Sequence, residues 1–106
     1  MDNNIEYSIY RTQYKKLDLK KCFIVDGWAY SKSDSELNYS AFINGEKVDI
    51  DLVRVDCNDV YFNLEKKPLS KKIGFHLIVD CTNLEPNSLS IIVETNEDKV
   101  EIVNLN

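Results

Sequence analysis

Glycine is scarce in this chain, three residues in 106, and the scarcity removes several functions at once. There is no Gly-x-Gly-x-x-Gly dinucleotide turn, no phosphate-cradling loop ending in Gly-Lys-Ser/Thr, no Gly-x-Ser-x-Gly elbow and no His-Glu-x-x-His zinc helix. Basic charge is also outweighed. Thirteen Lys and Arg stand against eighteen Asp and Glu, a net charge of −5, which argues against a nonspecific nucleic-acid or anionic-membrane surface, because such binding is driven by clustered cations. The pairs Lys15-Lys16, Lys20-Lys21, Lys66-Lys67 and Lys71-Lys72 are scattered and read as solvated strand ends or turns. No apolar stretch approaches the roughly 18 residues of a membrane-spanning helix, and Met1-Asp2-Asn3-Asn4 is not the basic start of a secretory signal. Neither secretion nor membrane insertion is signalled, which leaves the sequon Asn38-Tyr39-Ser40 incidental and a cytoplasmic location expected.

Cysteine is limited to Cys22, Cys57 and Cys81, with no Cys-x-x-Cys spacing for zinc or thiol-disulfide chemistry. An odd number so widely spaced is not a complete disulfide framework. Cys22 and Cys81 lie in apolar strand patterns and read as small buried hydrophobes in a reducing compartment, with one bridged pair and a leftover thiol as the alternative.

What is present is a folded composition, 43% hydrophobic and 29% charged. The length suits a single domain, residues 1–106 with a core over about 5–103, able to bury roughly two thirds of its unfolded surface. Period-2 alternation dominates. Val48, Ile50 and Leu52 alternate with Lys47, Asp49 and Asp51, Tyr39, Ala41 and Ile43 recur with the same period, and Asn44-Gly45 between the runs predicts a tight hairpin. Val53 and Val55 fall on the opposite parity, which predicts a bulge, bend or change of sheet near Leu52 and Val53. Phe75, Leu77, Val79 and Cys81 form a further alternating face, as do Leu89, Ile91 and Val93. With 5–10, 21–30 and 99–103 this makes about seven short antiparallel strands, an all-β, immunoglobulin-like sandwich. Only 59–65 has a helical face, in Val60, Tyr61 and Leu64, and Pro68 limits it to one turn at most.

Chemistry is thinly represented. His76 alternates with the apolar face of its strand and reads as an exposed or hydrogen-bonded strand histidine, not as half of a Cys-His nucleophile pair. Asp49, Asp51, Asp56, Asn58 and Asp59 are the densest group of oxygen ligands, but their spacing is not that of a calcium loop and no glycine follows Asp59, so no metal or other cofactor is expected. Trp28, the only tryptophan, is expected between the sheets.

The order Gly27-Trp28-Ala29, the Asn44-Gly45 hairpin, Arg54 followed by Asp59-Val60, and then Gly74-Phe75 resembles the small β-sandwich accessory domains of bacterial family 2 glycosyltransferases and related cell-envelope polysaccharide synthesis proteins. The resemblance covers about residues 21–94 and departs from the pattern at Cys57, where a second arginine is common, and at Asn58, where proline is common. It implies a non-catalytic module that positions the enzyme, an acceptor glycan or a partner protein, with the catalytic metal motif in another domain. Asp49-Ile50-Asp51 is the only Asp-x-Asp here, and it lies in a hairpin strand without the α/β nucleotide fold. The residues expected to meet a glycan or partner are Trp28, Tyr30, Arg54, Asp56 and Asp59. The other reading is a free-standing protein-interaction module that docks through a sheet edge or an aromatic patch.

Overall fold

The computed structural model describes residues 4–65 and 67–106; residues 1–3 and Lys66, one half of the Lys66-Lys67 pair, lie outside them. Strands β1 (Ile5–Leu17) and β2 (Lys20–Ser31) form a long hairpin. Its turn contains Asp18 at φ 52°, a left-handed conformation that aspartate tolerates better than most residues. Strands β3 (Asn38–Ile43) and β4 (Glu46–Val48) are joined by Asn44 and Gly45, both at positive φ, as the Asn-Gly pair predicts. Strand β5 (Ile50–Val55) leads into the short helix α1 (Asn58–Asn63), and β6 (Gly74–Asp80), β7 (Leu89–Glu94) and β8 (Lys99–Leu105) complete the chain.

The strands form two antiparallel sheets, β1-β2-β6-β5 and β4-β3-β7-β8. This is the strand order of an immunoglobulin-like sandwich. The inward side chains Val25, Ala41, Leu77, Val79, Ile91 and Val93 are fully buried, with Phe75 packed against Tyr39 across the layers. Each fully buried Val, Leu, Ile or Phe contributes about 1.5–3 kcal/mol of burial free energy, so this interleaved core holds the layers together.

Two boundaries depart from the sequence expectation. The turn predicted near Leu52 and Val53 occurs at Asp49, where the chain leaves the second sheet as β4 and enters the first as β5. That crossing divides one expected strand into two and makes eight. Leu52 still packs inward, while Val53 and Val55 point away from the core. Strand β1 runs on to Leu17, well past Tyr10, because its pairing with β2 sustains a segment that lacks regular apolar alternation.

Two bulges set which side chains face where. Ile9 pairs with Gly27 and Arg11 with Asp26, so Tyr10 is the extra residue, and beyond it the inward and outward positions of β1 exchange. Gly27 is required at that step: a Cβ there would lie 2.3 Å from the Ser8 carbonyl oxygen and 3.2 Å from Ile9 Cα. The second bulge makes Ile102 the extra residue of β8 opposite Ile91 and Ile92.

Candidate functional site

The two outer faces of the sandwich differ in chemistry. On the β4-β3-β7-β8 sheet the outward residues are mostly polar, among them Asn38, Ser40, Lys47, Ser90, Glu94 and Glu101. On the β1-β2-β6-β5 sheet, Ile24, Trp28, Tyr30, Val53, Val55 and Ile78 alternate with the buried positions and face outward. Apolar side chains on both faces of a sheet are the pattern of a layer that is covered on both sides.

Trp28 is therefore not the core residue expected from the sequence. It belongs to β2, between the buried Gly27 and Ala29, and strand alternation turns it outward. Its ring stacks on Tyr30 at 6.0 Å between centroids with an interplanar angle of 27°. The aromatic that enters the core is Phe75, against which the partly buried Tyr39 packs; burial pushes the Tyr39 hydroxyl up to about 12, with the Arg54 charge opposing.

One row below Trp28, strand register brings Arg11, Asp26, His76 and Val53 side by side across the four strands. Asp26 Oδ2 accepts a hydrogen bond from Arg11 Nε at 2.9 Å and lies 2.7 Å from Arg11 Nη2 in the ion pair, while Oδ1 lies 2.5 Å from His76 Nδ1. Partial burial by itself pushes the Asp26 carboxyl up; the hydrogen bonds and charges of His76 and Arg11 outweigh it and hold the group below its ordinary value. The Tyr10 bulge makes this cluster possible, since without the extra residue Arg11 would face the interior.

Beside the cluster is a groove of about 490 Å³ with Tyr10, Val53, Val55, Cys57 and His76 in its walls and Gly74 at its base. A Cβ at Gly74 would come within 2.7 Å of Val55 Cγ2, so the glycine allows Val55 to lie flat against the sheet. Tyr10 presents a ring that is 60% exposed, and its hydroxyl meets Cys57 Sγ at 3.5 Å. Burial of that hydroxyl, and then its bond to Cys57, push the group up to about 12.

The five residues predicted to form a site are divided among three places. Trp28 and Tyr30 share the outer face. Asp56 and Asp59 are exposed beside Tyr10, at the end of β5 and in the first turn of α1. Arg54 lies at the rim of the sandwich, donates to the Leu37 carbonyl at 3.1 Å and covers the Tyr39 ring at 5.8 Å, so it anchors the segment before β3 instead of pairing with a carboxylate. Arg54 and Tyr30 also border a smaller cleft of about 200 Å³.

Sequence reasoning missed Arg11 and Asp26 altogether. Their one signal was Asp26 itself, a charge inside the apolar run of β2, which calls for a partner from a neighbouring strand. Asp26 holds His76, and Cys57 is hydrogen-bonded to Tyr10, not to the imidazole. All three cysteines are free thiols; Cys81 is buried as expected, whereas Cys22 is only half-buried and lies on the outer face. Among the described residues no three His, Cys, Asp or Glu converge as a metal-binding set, and no helix is long and apolar enough to cross a membrane. The chain matches no protein-family model and no curated protein.

Proposed function

We propose that this chain is a non-catalytic docking module, an accessory domain of a bacterial glycosyltransferase that positions the enzyme, its acceptor glycan or a partner through the outer face of the β1-β2-β6-β5 sheet. The observation that carries this reading is the asymmetry of the two outer faces: Trp28, Tyr30, Ile24, Ile78, Val53 and Val55 turn outward on one sheet while the other is mostly polar. A partner that covers this face gains the burial of rigid aromatic surface. The association with a glycosyltransferase rests on the Gly27-Trp28-Ala29, Arg54, Asp59-Val60 and Gly74-Phe75 resemblance. Three unpaired thiols fit work in a reducing compartment such as the cytoplasm.

The acceptor glycan, in place of the enzyme, as the direct occupant of this face is favoured by the Trp28–Tyr30 pair standing beside hydrogen-bonding groups on Asp26, His76 and Arg11. Trp28 fluorescence separates the two. The full chain is titrated with a purified bacterial family 2 glycosyltransferase catalytic domain, and separately with cell-envelope oligosaccharides. A blue shift and loss of iodide quenching with the catalytic domain supports docking to the enzyme. Protection by an oligosaccharide alone assigns the face to glycan, and a signal unmoved by either removes the proposal.

A further inference from the structure

The sandwich has four edge strands, and three are visibly protected against pairing with another chain. Strand β1 runs against β8 and carries Lys15 and Lys16; β8 carries Lys99 and its own bulge; β4 is three residues long and carries Lys47. Lysines, bulges and short length are the devices by which edges avoid strand addition. Strand β5 is six residues long with no lysine and no bulge, and its one cation, Arg54, is turned to the Leu37 carbonyl. Its register with β6 is uninterrupted from Ile50 opposite Val79 to Val55 opposite Gly74, and it contains neither lysine nor proline. Among the described residues, the backbone of β5 makes no hydrogen bonds except those to β6.

We propose that β5 is a docking edge for an extended, basic peptide segment, which adds as a further strand of the β1-β2-β6-β5 sheet. Apolar surface marks the edge, with Val53 54% and Val55 41% exposed on its outer side. Charge identifies the occupant. Asp49, Asp51, Asp56 and Asp59 are exposed along this strand and just beyond its ends, and none is in an ion pair among the described residues. A second copy of the chain would bring the same uncompensated carboxylates to the shared seam, whereas a segment rich in Lys or Arg neutralises them. Strand alternation then dictates its pattern: apolar residues opposite Val55 and Val53, basic residues opposite Asp51 and Asp49, and small polar residues between.

The proposal shares with the docking reading only the premise that this side of the molecule meets a partner. The probe is acetyl-Val-Thr-Val-Thr-Lys-Thr-Lys-amide, titrated into the full ¹⁵N-labelled chain. Amide shifts concentrated on residues 50–55, weakened about fivefold by Asp51→Lys, are the expected result, the reversal replacing an attraction by a repulsion of similar size. A peptide with Glu in place of both Lys, and one N-methylated on the backbone edge that meets β5, are expected not to bind. Equal binding by either control overturns the proposal, as does concentration-dependent self-association through residues 50–55 without peptide. Trp28→Ala is expected to leave peptide binding intact; if it abolishes binding, the peptide occupies the outer face and the edge proposal fails while the face-docking reading stands.

Discussion

Gly27→Ala tests the link between the Tyr10 bulge and the stability of the sandwich. The new methyl group would sit 2.3 Å from the Ser8 carbonyl oxygen, about 1 Å inside the usual carbon–oxygen contact of roughly 3.3 Å. The obstacle is backbone, and the next contacts, Ile9 Cα and Phe75 Cζ at 3.2 Å, leave little room to move aside. Relief requires β1 to withdraw from β2 at the bulge, which loosens the register that holds Arg11 against Asp26. The cost belongs at the upper end of the overpacking range, about 3 kcal/mol. At roughly 4–8 °C per kcal/mol for a domain near this size, the melting temperature falls by about 12–24 °C. Gly74→Ala is the matched control, because its closest obstacle is the Val55 side chain at 2.7 Å, which can rotate, although the Val55 carbonyl follows at 3.0 Å. It is expected to cost about 1 kcal/mol. Urea and thermal unfolding followed by circular dichroism give the free energies and the melting temperatures of both variants. A Gly27→Ala melting temperature within about 4 °C of the parent, or a larger loss for Gly74→Ala, would refute the assignment of Gly27 to the bulge.

Asp26→Asn is expected to destabilise the fold by about 1–2 kcal/mol at neutral pH through loss of charged hydrogen bonds from Arg11 and His76. Because the folded carboxyl lies below its ordinary value, its contribution is present above the unfolded pKa and is lost as pH falls through the folded one; chemical unfolding of both proteins should show their difference narrowing from about pH 4 downward. Arg54→Ala should cost about 1 kcal/mol in the same assay, for the bond to Leu37 and the contact with Tyr39, and leave partner binding unchanged. Thiol labelling should be fast at Cys22 and Cys57 and absent at Cys81 until the protein unfolds, since Cys81 is 1% exposed and burial pushes its thiol up; labelling of Cys81 in the native state would contradict the packing.

The layers and the Asn44-Gly45 hairpin were readable because alternation and positive-φ residues are local signals, each contained in a few neighbouring positions. The change of sheet was readable in kind but displaced, since alternating residues on both sides of Asp49 look alike whether or not the chain crosses between layers. Trp28 was misplaced by analogy with sandwiches that bury a tryptophan; its parity with Asp26 and Tyr30 contained the correct answer. The Arg11–Asp26–His76 cluster was not readable. It depends on a bulge in β1 and on pairing of β2 with a strand some 50 residues away, and neither leaves a local trace.

The interleaving of the sheets has a consequence for how the chain can be divided. In each sheet the central contact joins an early strand to a late one, β2 to β6 and β3 to β7, so the segment between α1 and β6 separates two halves that share both layers. Neither half alone possesses a complete sheet or an interior. A cut in that segment therefore yields two fragments that acquire structure only in each other's presence, a property that would turn the domain into a split reporter whose reassembly signals that its two parts have met.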